Sequence, residues 1–206
     1  MRGLFVTGTG TEVGKTVVAA ALAYGARASG DRVAVFKPAV SGLDDHPLTS
    51  EVWENAPDLP DHALLRLAAG SSQGDEEVAP YRYGPAVSPH LAAEQSAKPV
   101  SPAELERRIR TAPRDGEPLV VVARPGLGTI NHTLLTLEAA RSRELRVAGV
   151  VLNPWPDEPD AIERSNRATV ERLGGVAVSV LPRLAAPDPE ALAAAGDGLP
   201  LEEWFA

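Results

Sequence analysis

The stretch Gly-Leu-Phe-Val-Thr-Gly-Thr-Gly-Thr-Glu-Val-Gly-Lys-Thr at residues 3–16 decides the fold of this chain. Its apolar start is typical of a short buried strand, and the alanine- and valine-rich residues after Thr16 have helical spacing. The glycines between them let backbone N–H groups converge on phosphate oxygens, and the start of the helix adds unpaired donors. We therefore predict a phosphate-binding loop, or P-loop, in which Lys15 contacts the β- and γ-phosphates and the Thr16 hydroxyl binds Mg²⁺.

The spacing of the P-loop differs from the common pattern. Five residues separate Gly8 from Gly14, where the usual motif has four. A glycine-rich turn that binds nothing is the alternative interpretation. The occurrence of a strand, Gly-Lys-Thr and a helix together favours phosphate binding.

Predicted strands and helices alternate along the rest of the chain. The predicted strands are residues 3–7, 32–36, 118–123, 146–152 and 176–181. The predicted helices are residues 13–27, 61–69, 101–111, 129–143, 161–173 and 189–195. Residues 42–60 and 71–90 are predicted to be irregular because proline and glycine recur in them. The pattern predicts an α/β fold like that of P-loop NTPases, a mostly parallel sheet flanked by helices, in a single domain over residues 1–206.

The composition excludes several functional classes. A net charge of −8 and an isoelectric point near 5.1 argue against nucleic acid or anionic membranes as partners. The absence of cysteine excludes disulfides, thiolate metal sites and a cysteine nucleophile. The sequence shows neither a signal-peptide pattern nor an apolar run long enough to cross a bilayer, so a cytoplasmic location is expected.

Five motifs, in order along the chain, resemble those of one enzyme family. They are the P-loop and residues 37–42 (Lys-Pro-Ala-Val-Ser-Gly), 85–93 (Pro-Ala-Val-Ser-Pro-His-Leu-Ala-Ala), 126–136 (Gly-Leu-Gly-Thr-Ile-Asn-His-Thr-Leu-Leu-Thr) and 149–154 (Gly-Val-Val-Leu-Asn-Pro). Taken together, these five motifs resemble those of ATP-dependent dethiobiotin synthetases, although many members of that family carry aspartate where this chain has Gly10. The resemblance implies that CO₂ and 7,8-diaminopelargonate react with ATP, in the presence of Mg²⁺, to give dethiobiotin, ADP and phosphate. It also implies a homodimer that acts in biotin synthesis.

Lys15 and Lys37 are the candidate catalytic residues. A carbamate and a triphosphate are both anions, so bringing them together requires concentrated positive charge. Lys37 follows a predicted strand at the edge where α/β sheets place ligands. An ordinary surface lysine is the alternative for Lys37. Thr11 and Ser41 are candidates for binding the diamine or its carbamate, and their alternative role is in turns.

The resemblance implies further ligand-binding residues. Those assigned to ATP are Glu12, Val13, Gly14, Lys15, Thr16, Val17, Asn153, Pro182, Arg183 and Leu184. Those assigned to the carboxylate of the substrate are Thr129, Ile130 and Asn131, with helix capping as their alternative role. His132 is interpreted as structural.

Thr16 and Asp61 are the candidate metal ligands. A P-loop hydroxyl and a carboxylate are oxygen donors of the kind that Mg²⁺ prefers. Asp61 stands at the start of a predicted helix, so its alternative role is to cap that helix. Asp44, Asp45 and Asp58 are weaker competitors.

One motif of the resembling family is missing. Those enzymes have a strand ending in Glu-Gly-x-Gly-Gly, followed by a helix, whereas here residues 117–125 run directly into Gly126. A strand with its crossover helix is on the order of 30 residues. Three explanations are open. The first, which the intact flanks favour, is that a segment was left out of the sequence as read. The second is a natural deletion with weak or no activity, and the third is that Glu12 or Asp61 replaces the acid of the missing motif. The alternative function is a degenerate nucleotide-binding paralogue with a non-catalytic partner role.

Overall fold

A computed structural model of the chain describes residues 2–44, 59–111, 118–185 and 188–205. Its strands are β1 (Phe5–Gly8), β2 (Ala39–Val40), β3 (Tyr81–Arg82), β4 (Leu119–Ala123), β5 (Val147–Trp155) and β6 (Val178–Pro182). Its helices are α1 (Lys15–Ala28), α2 (Asp61–Ala69), α3 (Asp75–Val78), α4 (Pro89–Gln95), α5 (Pro102–Thr111), α6 (Thr129–Arg141), α7 (Ala161–Gly174), α8 (Pro189–Asp197) and α9 (Leu201–Phe205). None of the described helices is long and apolar enough to cross a membrane.

The main sheet has four parallel strands in the order β1-β4-β5-β6, with Val6 opposite Val120 and Val121 opposite Val150. A separate parallel pair joins β2 to β3. Because parallel strands need crossover connections, the helices cover the faces of the sheet and the carboxyl ends of all four strands meet at one edge. The α/β prediction is therefore confirmed.

Alternate residues of β4 pack on the two faces of the sheet. Val120 and Val122 face a core formed with α1, α2, α8 and α9, and Val121 faces a core formed with α6 and α7. All three valines are fully buried, as is typical of a central parallel strand. Helices α1 and α8 approach so closely that a Cβ on Gly196 would lie 2.5 Å from the carbonyl oxygen of Ala21. The apolar run that predicted this strand therefore marks the centre of the sheet.

The predicted strand at residues 32–36 is wrong. Those residues form no ladder, and the side chain of Gln73 takes up the backbone of Val35: its Oε1 accepts from the Val35 N–H at 2.9 Å and its Nε2 donates to the Val35 carbonyl at 3.1 Å. The N–H of Lys37 donates to the Val78 carbonyl at 2.8 Å. An extended apolar segment forms a strand only if a neighbouring strand is available, and here a side chain replaces that neighbour.

The prediction that residues 71–90 are irregular is wrong in part, because α3, β3 and the start of α4 lie within them. These elements are short, so their periodic signal is weak. The other predicted helices and strands are confirmed to within a few residues at their ends. The Ser101 hydroxyl accepts from the N–H of Glu104 at 3.3 Å and so caps the start of α5.

Candidate functional site

The P-loop connects β1 to α1 at the carboxyl edge of the sheet. A Cβ on Gly8 would lie 2.7 Å from Cγ2 of Val13 and 3.0 Å from the Val122 carbonyl oxygen, so only glycine fits there. Gly14, the N-cap of α1, has a φ of 86°, which again favours glycine. The glycines of the motif are thus required by close packing and by a left-handed turn, and the structure places Lys15 and Thr16 at the first turn of α1.

Lys15 lies across the P-loop, where its Nζ donates to the Gly10 carbonyl at 2.7 Å. Partial burial, followed by the positive charge of Lys37, lowers the pKa of Lys15, and the charge of Asp61 acts in the opposite direction. Lys37 Nζ donates at 3.2 Å to the hydroxyl of Thr16, the residue directly after Lys15, so the two predicted catalytic cations lie at the same turn of α1. Two cations held together near the start of a helix form a site suited to anions.

Lys37, Thr16 and Asp61 are in direct contact. The Thr16 hydroxyl donates to Asp61 Oδ2 at 3.0 Å, and Lys37 Nζ donates to Thr16 Oγ1 at 3.2 Å and to the same carboxylate oxygen. The side chains of Lys37 and Asp61 are each 26% exposed, so the ion pair is partly shielded from water. The structure therefore joins residues from α1, from the segment before β2 and from α2.

Asp61 does not cap its helix. Pro60 is the N-cap of α2, no side chain caps this helix, and the Asp61 carboxylate accepts from Thr16 and Lys37 instead. The capping alternative is therefore wrong for the described geometry. Asp44 lies elsewhere, with its carboxylate packed against Gly84, and Asp45 and Asp58 lie outside the described residues.

The pair Thr16 and Asp61 fits a small divalent cation. A hydroxyl and a carboxylate oxygen lie 3.0 Å apart, and both are hard oxygen donors. Among the described residues there is no group of three or more histidine, aspartate or glutamate side chains suited to a metal ion. Since Mg²⁺ commonly keeps several waters and takes phosphate oxygens as ligands, two protein donors are compatible with its binding.

The motifs at residues 37–42 and 85–93 meet beside this cluster. The N–H of Gly42 donates to the Pro85 carbonyl at 2.9 Å, and the N–H of Tyr83 donates to the Val40 carbonyl at 2.9 Å. Gly42 has a φ of 84°, which explains why glycine ends the first motif. Ser41 lies half-buried at this junction, and Thr11 is exposed on the P-loop.

The predicted nucleotide residues beyond the P-loop divide into two groups. Asn153, 1% exposed at the end of β5, donates from Nδ2 to the Val13 carbonyl at 3.1 Å and so lies against the P-loop. Pro182 and Arg183 are exposed at the end of β6. The side chain of Leu184, like that of Val17, is buried in the core, so these two residues present only backbone groups to a ligand.

The predicted substrate residues form the start of α6. Gly128 is its N-cap with a φ of 90°, and no side chain caps the helix. Thr129 is buried with its hydroxyl 3.4 Å from that of Thr133, Ile130 packs on the core, and Asn131 is exposed. The capping alternative for Thr129 and Asn131 is therefore wrong. Leu127 just before the helix is 96% exposed.

One contact of the P-loop was not predicted. Arg124, directly after β4, donates from Nη2 to the Glu12 carbonyl at 3.2 Å, and the same nitrogen lies 3.8 Å from the Glu12 carboxylate. A cation directly after the carboxyl end of a buried strand is the sequence signal that could have identified it.

The outer edge of β1 has no partner strand among the described residues. Within the described residues β1 pairs only with β4, and Phe5 is 57% exposed although it belongs to a strand of the main sheet. The backbone runs without interruption from β4 through residues 124–128 into α6. The residues around the omission thus fold into a continuous strand–turn–helix.

A family model described as "AAA domain" matches residues 2–121 and residues 109–191. The two matches share residues 109–121, so one stretch of this chain takes part in both. Such an overlap is expected if the end of one strand and the start of another have been joined.

The chain is also similar to several named relatives over most of its length. It is 35% identical to the ATP-dependent dethiobiotin synthetase of Bacillus subtilis strain 168 over 215 aligned positions, which cover 90% of this chain and 89% of the relative. It is 38% identical to the synthetase of that name from Mycobacterium avium, covering 93% of this chain and 90% of the relative. For the relative from Streptomyces avermitilis the identity is 38%, with 84% and 79% covered.

The alignment with the Bacillus subtilis enzyme also contains positions that this chain lacks. Ninety per cent of 206 residues is about 185, so about 30 of the 215 positions aligned with the Bacillus subtilis enzyme hold no residue of this chain. This number agrees with the roughly 30 residues of a strand and its crossover helix. Despite that omission, identity at this level over nine-tenths of both chains shows that this chain belongs to the family of ATP-dependent dethiobiotin synthetases.

Proposed function

We propose that this protein is a cytoplasmic, homodimeric dethiobiotin synthetase that joins CO₂ to 7,8-diaminopelargonate at the expense of ATP. The observation that carries the proposal is the cluster of Lys15, Lys37, Thr16 and Asp61 at the start of α1. It supplies the positive charge that a carbamate and a triphosphate need in order to approach each other. The synthetase names of the relatives support the same conclusion.

The proposed reaction has three balanced steps. An amine of the substrate adds to CO₂, forming a C–N bond and releasing a proton, to give a carbamate. A carbamate oxygen attacks the γ-phosphorus of ATP, and the bond to ADP breaks. The second amine attacks the carbamate carbon, closing the ureido ring as phosphate leaves with the shared oxygen and a proton is lost. The second step brings two anions together, the carbamate and ATP, so charge neutralisation and alignment are the main tasks of the protein.

The geometry supports a distinct role for Lys37. An ammonium group has three donors, and Lys37 directs two of them to Thr16 and Asp61. These contacts hold the side chain in place and leave one donor for a carbamate or γ-phosphate oxygen. Lys15 is the second cation, held near the same anions by its position in the P-loop.

Thr16 and Asp61 are the proposed protein donors to Mg²⁺. When bound, the ion would neutralise phosphate charge. The Asp61 carboxylate also balances the charge of Lys37, which keeps two lysines compatible with one site.

The start of α6 is the proposed binding place for the substrate carboxylate. The N-terminal N–H groups of a helix and its dipole favour an anion, and no side chain occupies them as a cap in α6. Asn131 is exposed there and Thr129 anchors the turn. The exposed Leu127 beside this turn is compatible with contact to a second subunit.

A second candidate function is a nucleotide-binding protein without catalysis. The observation in its favour is the missing Glu-Gly-x-Gly-Gly motif, which would remove an acidic residue from the site. ATP binding without consumption of the diamine would distinguish this function from the synthetase.

The test is an assay of dethiobiotin by mass spectrometry after incubation with 7,8-diaminopelargonate, bicarbonate, Mg²⁺ and ATP. We expect product from the wild type and a loss of at least about 100-fold in Lys37→Ala, since removing one preorganised donor has effects of this size. Lys98→Ala is the matched control, because Lys98 is exposed and its described hydrogen bonds are both made by its backbone. No product from wild-type protein that binds ATP would support the second candidate.

A further inference from the structure

Two successive carbonyl groups of the P-loop are held by side chains from two neighbouring strands. Arg124, after β4, donates to the Glu12 carbonyl at 3.2 Å, and Asn153, at the end of β5, donates to the Val13 carbonyl at 3.1 Å. Both side chains reach the loop from the carboxyl edge of the sheet. They therefore fix the orientation of two adjacent peptide units.

This orientation has a consequence for the opposite side of the loop. In a trans peptide the N–H points away from the carbonyl of the same unit. Since the Glu12 carbonyl points to Arg124 and the Val13 carbonyl to Asn153, the N–H groups of Val13 and Gly14 point away from β4 and β5. Successive N–H groups of a P-loop form the concavity that binds phosphate oxygens, and an N–H turned away from the sheet is free to take part in it.

We propose that Arg124 is a positioning residue for the triphosphate: it acts through the Glu12 carbonyl, together with Asn153, to aim P-loop N–H groups at the phosphates. This inference rests on the proposed use of ATP.

The backbone on both sides of Arg124 is held in place. Ala123 before it is fully buried in the sheet. After it, the side chain of Asn166 on α7 donates to the Pro125 carbonyl at 2.9 Å and to the Gly126 carbonyl at 3.0 Å. A side chain that starts from a fixed backbone loses less conformational freedom when it binds the loop. Arg124 can therefore hold the P-loop at a fixed position relative to the sheet.

The loop also needs such support at this point. Glu12 is not glycine, yet its φ is 58°, in the left-handed region. A residue other than glycine in that region costs on the order of 1 kcal/mol, so surrounding contacts must hold it. The charge-assisted hydrogen bond from Arg124 is such a contact, and it holds the peptide group between Glu12 and Val13.

The test compares nucleotides that differ in their phosphates. We expect Arg124→Ala to weaken binding of ADP and of a non-hydrolysable ATP analogue about tenfold by calorimetry, and to change binding of AMP less than twofold. The Michaelis constant for ATP should rise by a similar factor while that for the diamine is unchanged. Arg124→Lys should recover part of the loss, because it keeps the charge and one donor.

Arg143→Ala is the matched control, since Arg143 follows the carboxyl end of α6, away from the edge that carries the P-loop. Thermal unfolding of each variant separates folding defects from binding. Equal weakening of AMP and ADP, or ADP binding like that of the wild type in both Arg124 variants, would overturn the proposal. Wild-type protein that bound ADP but formed no dethiobiotin would overturn the proposed reaction alone, and the nucleotide comparison would still decide the role of Arg124.

Discussion

Two adjacent strands of the same sheet have different environments. In β4, Val120 and Val121 are fully buried between helices on both faces, and the strand pairs with β1 and β5. In β1, Phe5 is 57% exposed and the strand pairs only with β4 in the described structure. Within the described residues, one side of the sheet is paired and covered by helices, whereas the outer edge of β1 has no partner strand.

The site draws on two sides. On one side, Lys15 and Thr16 on α1 and Asp61 on α2 belong to helices that pack on β4, whereas on the other side Lys37 lies in the segment before β2, outside the main sheet. Direct contacts among Thr16, Lys37 and Asp61 join the two sides without a strand ladder. The comparison teaches that side-chain contacts can keep a charged cluster together where the sheet does not.

The largest expected effect contrasts a fully buried position in the centre of the sheet with the exposed edge of β1. Leu152→Ala in β5 should lower the free energy of unfolding by about 2–5 kcal/mol, because Leu152 is fully buried. Phe5→Thr in β1 should lower it by less than about 1 kcal/mol, because the side chain is mostly exposed and threonine suits a strand. Urea unfolding measures both. A cost above 2 kcal/mol for Phe5→Thr would show that the outer edge of β1 is covered after all.

Asp61→Asn tests the contacts that join the two sides. The amide has nearly the same shape but no charge, so it should weaken both the hold on Lys37 and the affinity for Mg²⁺. We expect kcat/KM to fall about 100-fold and the Mg²⁺ concentration for half-maximal activity to rise. Asp197→Asn, at the exposed end of α8, is the control. Unchanged Mg²⁺ dependence in Asp61→Asn would exclude Asp61 from the metal site.

Gly8→Ala tests the packing of the P-loop on β4. The new Cβ would lie 2.7 Å from Val13 and 3.0 Å from the Val122 carbonyl oxygen, so we expect a loss of about 1–3 kcal/mol in stability. The Michaelis constant for ATP should rise as well, because the displaced loop carries the phosphate-binding N–H groups. Gly198→Ala is the control, since its Cβ would be at an ordinary 3.5 Å from the Ala195 carbonyl oxygen. Wild-type stability and ATP kinetics in Gly8→Ala would contradict the packing argument.

Gln73→Ala gives the smallest expected effect. It removes both hydrogen bonds to the Val35 backbone, and we expect about 1–2 kcal/mol of lost stability. Hydrogen exchange at the Val35 N–H should accelerate more than exchange in β4, because the two lost hydrogen bonds lie at Val35. Gln73→Glu keeps the acceptor for the Val35 N–H and should have a smaller effect. Equal protection of Val35 in all three proteins would mean that another group holds this segment.

The sequence predicted the well-packed side better than the open side. The run of valines at 120–122 predicted a buried strand, and the Gly-Lys-Thr of the P-loop predicted a turn from a strand into a helix. Both elements are present in the structure. The strand at residues 32–36 failed because strand formation depends on a neighbour, which local patterns do not reveal. Arg124 escaped prediction because its contact with Glu12 joins positions far apart in sequence.

The central claim is that the site is catalytically competent although the strand and helix are missing. The most direct measurement is the release of ADP by wild-type protein with Mg²⁺, ATP and bicarbonate, with and without 7,8-diaminopelargonate, alongside the dethiobiotin formed. The account predicts ADP release that depends on the diamine and one dethiobiotin for each ADP. ADP release that ignores the diamine, or ATP binding with no dethiobiotin formed, would contradict it.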